Sequence, residues 1–138
     1  MTADEISAFL DAQRTCRVAT VGAGGPHLSP VWFVWDGYAV WLYSLVRSQR
    51  FTDIARDARV AVLVDDGQSY DELRGTAAVV GEVPRVGRPS DELVDPERLF
   101  AARYGGLAYD GRHAWLRVTP EKIASWDFRK RAAAAPGR

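Results

Sequence analysis

The sequence predicts a small, mostly antiparallel β-barrel with peripheral helices, built from six or seven strands. Three observations carry this reading. Short apolar runs rich in Val, Trp, Tyr and Phe recur along the chain, separated by Gly, Asp and Pro turn signals. Helical spacing is confined to three brief stretches set between strand patterns. The 138 residues are 47% hydrophobic and 26% charged, which suits one domain with one core.

In chain order, Thr2-Ala3-Asp4-Glu5 is a capping-box pattern, and Ile6, Phe9 and Leu10 follow at the spacing of an amphipathic helix ending near Gln13. Thr15 to Val21 reads as a strand and residues 22–25 as a glycine turn. Lacking a third spaced glycine and a following helix, that turn is no dinucleotide fingerprint. His27 to Trp35 is the next strand, and Asp36-Gly37 signals a two-residue hairpin turning into Tyr38 to Ser44. This hairpin is apolar on both faces, whereas a half-solvated one would alternate. One face can fill a barrel; the other needs a helix, a second subunit or a flat ligand.

A helix over residues 48–58 follows, with Phe51, Ile54, Ala55 and Ala58 at helical spacing. Arg47 and Arg50 stand at its entrance beside Ser44 and Ser48. A helix N-terminus already carries about half a positive charge, so cations there are unfavourable. An anion held by backbone N–H groups, hydroxyls and guanidinium groups would account for them; so would side chains pointing into water.

Val60 to Val64 is a short strand stopped by Asp65-Asp66-Gly67, and Leu73 to Val83 is a long one in which Gly75 and Gly81 suggest bulges or sharp bends. Residues 84–89 break the pattern. Asp91 or Asp95 is expected to cap a third helix reaching about Tyr104, ended by Gly105-Gly106. His113 to Thr119 and Lys122 to Phe128 are the last strands. Residues 1–128 thus form the domain, and residues 129–138 are expected to fray.

Composition narrows the function. Formal net charge is zero, so there is no global field for nucleic acid. Residues 27–44 contain no Arg or Lys to accompany their aromatic rings, as a strand-binding barrel would need. No apolar run approaches the roughly 18 residues of a membrane span, and no signal layout is seen. Cytosolic placement is the expectation. The single cysteine, Cys16, reads as a buried small hydrophobe. No metal-binding or nucleophile motif stands out. Any chemistry is expected to come from a bound cofactor.

Several stretches together resemble one family. Gly25-Pro26-His27, Pro30-Val31-Trp32-Phe33 and Trp35-Asp36-Gly37 are followed by Tyr43-Ser44, Ser48, Arg50, then Asp57 and Arg59-Val60-Ala61-Val62. Their order and spacing are similar to the pyridoxamine 5'-phosphate oxidase-like split β-barrels, especially the flavin and deazaflavin oxidoreductase branch. The resemblance runs from the first helix to the SWDF strand. It implies a homodimer with coenzyme F420, or alternatively FMN, at the subunit interface, and hydride transfer to or from a small conjugated organic substrate. By residue it places Ser48 and Arg50, with Arg47 as an added candidate, on the cofactor phosphate. Tyr43 and Ser44 fall beside the ring or ribityl chain, and Ser29, Pro30, Val31 and Trp32 along the ring face. Trp126 and Asp127 would approach from the partner chain. F420 has a long anionic tail, which Arg47, Arg50 and Arg56 suit. No catalytic residue is assigned; Tyr104, Tyr109 and His27 are candidates to move a proton. A carrier of flavin or haem without turnover is the competing class, with His27 as the axial ligand in the haem version.

Overall fold

A computed structural model of the chain describes residues 1–80, 85–86, 91–106 and 110–134. The elements are α1 (Ala3–Ala12), β1 (Thr15–Gly22), β2 (Gly25–Trp35), β3 (Val40–Leu45), α2 (Gln49–Arg56) and β4 (Val60–Asp66). They continue with β5 (Arg74–Val80), β6 (Arg85–Val86), α3 (Val94–Tyr104), β7 (His113–Val118), β8 (Lys122–Asp127) and α4 (Arg129–Ala134). The strands form one sheet in the order β6-β7-β3-β2-β1-β4-β5-β8, every neighbour antiparallel. Two-residue β6 raises the strand number to eight, above the six or seven expected.

The split arises in β2. Its first eight positions pair with β1, from Gly22↔Gly25 to Thr15↔Trp32. Only its last residues pair with β3, from Phe33↔Leu42 to Trp35↔Val40. Beyond Leu42, β3 keeps its ladder with β7. The two strands therefore diverge, leaving a gap between residues 29–32 of β2 and 43–45 of β3.

Alternation along the strands sends residues to two cores. Phe33, Val40 and Leu42 join Val18, Val62, Leu116 and Val118 inside the barrel, closed by Phe9 and Leu10 of α1 and Ile54 of α2. Val34, Trp41 and Trp115 face outward and are covered by Leu93 and Phe100. Part of the hairpin's second apolar face, Val34 and Trp41, is thus covered by Phe100 of α3 and by Leu93. Each such buried aliphatic or aromatic side chain contributes roughly 1.5–3 kcal/mol.

Local chemistry corrects several expectations. The hairpin turn spans residues 36–39 instead of two residues. The Asp36 carboxylate accepts the Tyr38 and Ala39 N–H groups, both at 2.8 Å, and the Trp41 indole N–H at 2.7 Å. Gly75 marks no bulge, for β4 and β5 pair without interruption. A Cβ there would come within 2.6 Å of the Trp126 ring and 2.8 Å of the Val64 carbonyl, so the glycine makes room for that indole. Neither Asp91 nor Asp95 caps α3: Leu93 stands at the cap without a side-chain bond, because a 3-10 turn (Asp91–Leu93) winds straight into the helix. Gly105 does end it, at φ 96°. Gly81 and the break at residues 84–89, apart from the 85–86 strand, lie outside the described residues.

The terminal stretch, expected to fray, forms α4 through residue 134. Arg129 grips Asp127 in two bonds, at 2.9 and 2.7 Å, and Lys130 reaches Glu5 at 2.8 Å. The Arg129 bonds hold the Asp127 carboxyl down at about 2. Since that lies below the unfolded value of about 3.9, the stabilisation is complete above roughly pH 5 and is lost as pH falls through the folded value. Asp127→Asn is expected to lower the thermal midpoint at neutral pH, with the deficit shrinking as pH falls toward ~2 and vanishing below it, as circular dichroism melts across pH would show.

Candidate functional site

Ser48 is the N-cap of α2: its hydroxyl accepts the Phe51 N–H at 3.2 Å and donates to the Leu45 carbonyl at 2.8 Å. This fixes the direction of the first turn, on which Arg50 stands. From there the Arg50 side chain spans the gap between β2 and β3. Its Nη1 donates to Ser29 Oγ at 2.7 Å, while Nε and Nη2 donate to Ser44 Oγ at 3.3 and 3.2 Å. Ser44 Oγ lies 3.4 Å from Ser48 Oγ. Four predicted site residues, Ser29, Ser44, Ser48 and Arg50, are therefore one cluster.

The electrostatics of that cluster are unusual. Arg50 is only 8% exposed, and its bonds go to neutral hydroxyls. No carboxylate pairs with it among the described residues. Burial pulls its pKa below the ordinary arginine value. Asp53, one turn on, is buried but committed elsewhere: it accepts from Gln49 at 2.7 Å and Thr20 at 2.8 Å, which hold its carboxyl below the usual range. A guanidinium has five N–H donors. Three are used here, leaving one on each terminal nitrogen, a pair suited to two oxygens of one phosphate or carboxylate. The donor set fits an oxyanion.

Across the same gap lies a cleft of about 570 Å³ lined by Thr15, Pro30, Val31, Trp32, Tyr43, Phe100 and His113. Four more predicted residues (Pro30, Val31, Trp32 and Tyr43) come together in it. Its walls are rings. Trp32 stacks on Tyr104 at 4.4 Å and 8°, and Tyr43 stacks on His113 at 4.4 Å and 12°. Ser29 adjoins Pro30 and Ser44 adjoins Tyr43, so the cation and the cleft occupy two sides of one opening.

Other predicted residues stand apart. Arg47 is exposed and takes no part in the hydrogen bonds of the cluster. Trp126 packs against Gly75 at the far edge of the sheet, with Asp127 bound to Arg129, so neither reaches the cleft within one chain. Arg56 donates to the Val21 carbonyl at 3.1 Å. The Tyr104 hydroxyl lies 2.7 Å from the Phe33 carbonyl and 2.6 Å from that of Arg14, which ties it to structure. His27 pairs with Thr20 on β1 and does not line the cleft. Tyr109 lies outside the described residues.

Comparison with known proteins decides the family. A family model described as pyridoxamine 5'-phosphate oxidase matches residues 2–127. The chain belongs to this family. Among curated relatives, the 5a,11a-dehydrotetracycline/5a,11a-dehydrooxytetracycline reductase of Streptomyces rimosus is 34% identical over 122 residues, covering 77% of this chain and 86% of that protein. A conserved hypothetical protein of Mycobacterium tuberculosis superposes with TM-score 0.79 at 30% identity, over 96% of this chain and 88% of the other. The haem storage protein of Vibrio cholerae gives 0.75 at 18%, over 90% and 92%. A FAD-binding protein of Mesorhizobium loti gives 0.71 at 16%, over 91% and 94%. These last two share the family fold.

The pyridoxamine 5'-phosphate oxidase fold explains why the Ser29–Arg50 bridge was half visible in sequence and His113 was not. Ser and Arg cluster locally around the α2 entrance, whereas His113 joins the cleft only through the β3–β7 register, Leu45↔His113. Its one local sign is Asp110, whose carboxylate accepts the Arg112 and His113 N–H groups in a tight turn.

If Arg50 is an anion site, inorganic phosphate should raise the thermal midpoint of the native protein and leave that of Arg50→Met unmoved. In phosphate-free buffer the variant should lie within about 1 kcal/mol of wild type, because relief of the buried charge offsets the lost hydrogen bonds. Calorimetry with and without phosphate checks both.

Proposed function

We propose that this protein is an oxidoreductase that uses a flavin-type cofactor, coenzyme F420 in the first instance, to reduce a small conjugated organic molecule. The observation that carries the reading is Arg50, a buried guanidinium whose partners are all neutral. Such a cation is costly unless an anion completes it, and a cofactor phosphate is an anion of the right size. In this reading Arg50, Ser29, Ser44 and Ser48 hold the phosphate, while Pro30, Val31, Trp32 and Tyr43 flank the ring. The bound cofactor supplies hydride chemistry; the chain orients it, excludes water and shapes the substrate cleft. The similarity to a reductase of dehydrotetracyclines at 34% identity supports reduction of a conjugated substrate. Exposed Arg47, beside the α2 entrance, is placed to meet a longer anionic tail.

FMN is the second reading. It is favoured by Arg50 being the one cation bonded within the cluster among the described residues, since a single phosphate needs no more.

The reading includes a homodimer. Residues of β2, β1 and β4 that face away from the barrel make a largely apolar surface, with Leu28 67% exposed and Ala61 also exposed. The pair Arg17–Asp65, 3.6 Å apart, is the charged exception. Trp126 lies on the same face, so it approaches a cofactor only from a partner. Ala61→Arg would bury a charge in that interface and is expected to give monomers by light scattering; an unchanged mass would remove this face as the interface.

Titration of the purified protein with F420 and, separately, FMN, followed by fluorescence, tests the cofactor. Micromolar or tighter F420 binding with weak FMN binding is expected, and Arg50→Met should weaken it by roughly 1.5–3 kcal/mol, a loss of ten- to more than a hundredfold. The reverse preference selects FMN. Binding of neither overturns the reading.

A further inference from the structure

The cleft holds one polar device that the cofactor reading does not use. The His113 ring is stacked flat on Tyr43, centroids 4.4 Å apart, and lines the cleft between Tyr43 and Phe100. Its Nδ1 lies 2.7 Å from Asp110 Oδ2. Asp110 is itself held still, since its other oxygen accepts the backbone N–H groups of Arg112 at 2.8 Å and His113 at 3.2 Å. These bonds keep the Asp110 carboxyl below its ordinary range, so it faces the ring as a carboxylate. A carboxylate accepts only, and therefore Nδ1 carries the hydrogen. That leaves Nε2, which makes no hydrogen bond to any described residue, as the free polar atom of a residue on the cleft wall.

We propose that His113, oriented by Asp110, is a subsite for an acidic hydroxyl, phenolic or enolic, on a planar substrate. The inference rests on the oxidoreductase reading for the word substrate, but not for the binding itself. An Nε2 lone pair accepts from the hydroxyl, and a protonated Nε2 donates to its conjugate anion, so the pair forms whichever partner holds the proton. Planarity follows from the walls: Tyr43, Phe100 and Trp32 offer ring faces and edges, which favour a flat π system over an aliphatic one. The charged or titratable groups around the ring are few. Asp110 and Arg112, 3.8 Å from each other, lie in the turn before β7, and Tyr43 stands on β3. From α3 comes Phe100, which is apolar. Among the described residues no second carboxylate meets His113, so an acidic hydroxyl would find its partner here without a competing anion.

The test uses the full chain and two small probes built on the same ring, p-nitrophenol and p-nitroanisole, the second carrying a methyl group in place of the acidic hydrogen. Absorbance titration should show the phenol bound about tenfold or more tightly than the ether, the size of one charge-assisted hydrogen bond. His113→Phe, which keeps a ring to stack on Tyr43, should bind both probes alike. A readout on the unmutated protein stands beside this. With ¹⁵N-labelled histidine the chain gives signals from only two residues, His27 and His113. The phenol should move the ring-nitrogen signals of His113 and leave those of His27 in place. No preference for the phenol, a preference that survives His113→Phe, or movement of His27 instead would each overturn the subsite. Cofactor affinity is measured separately, so failure of F420 and FMN to bind would sink the oxidoreductase reading while the histidine signals still report on His113.

Discussion

A buried cation bridging two diverging strands is the constraint on which the site depends. Ser29 and Ser44 lie where β2 and β3 have ceased to pair, and Arg50 ties them across the opening. That tie joins the two strands through side chains alone, hydroxyl to guanidinium to hydroxyl, where their backbones no longer pair. Hydrogen-bonded hydroxyls hold a guanidinium in place, yet they do not neutralise it. The desolvation of an unpaired charge costs several kcal/mol, which dipoles of neutral partners offset only in part. A site of this kind is poised: mechanically complete, electrically unfinished.

Arginine suits that double task where lysine would not. Its planar fork reaches two strands with three N–H groups while still presenting one on each terminal nitrogen, whereas an ammonium has three donors from a single point. The direction of the fork is set upstream. Ser48 caps α2 and bonds back to Leu45, so the helix start is fixed to the end of β3, the same strand that carries Ser44. The strand, the cap and the cation thus form one rigid unit, and the aromatic cleft inherits its position from it through Tyr43.

Much of this could be read from the residues. The capping box at Thr2, the serine and arginine cluster at α2 and the glycine stop at 105 follow from local chemistry, and each stands where expected. What could not be read is what depends on register or on which face meets which. Arg47 and Arg50 look alike as letters three apart, but a cap at Ser48 turns one toward water and the other into the gap. The doubly apolar hairpin pointed equally to a helix, a subunit or a ligand, and only the packing of Leu93 and Phe100 chooses the helix. Gly75 read as a bend because a missing side chain is the common mark of both a bulge and a close approach; the neighbour that needs the space, Trp126, is far away in sequence.

That choice of helix changes the argument for assembly. With α3 over Trp41 and Trp115, the hairpin no longer asks for a second subunit. The exposed apolar surface that remains lies on the other half of the molecule, where Leu28 and Ala61 face outward on β2 and β4. The two locations differ in consequence. A subunit packed on the hairpin would have closed the aromatic cleft, since Tyr43 and Phe100 belong to that side. A subunit packed on the outer face of β2 instead leaves the mouth beside His113 open while bringing new walls toward Pro30 and Trp32, which are exposed residues of that same face. The residues of β2 alternate between the barrel interior, where Ser29 meets Arg50, and the outer face, where Pro30 and Trp32 are exposed.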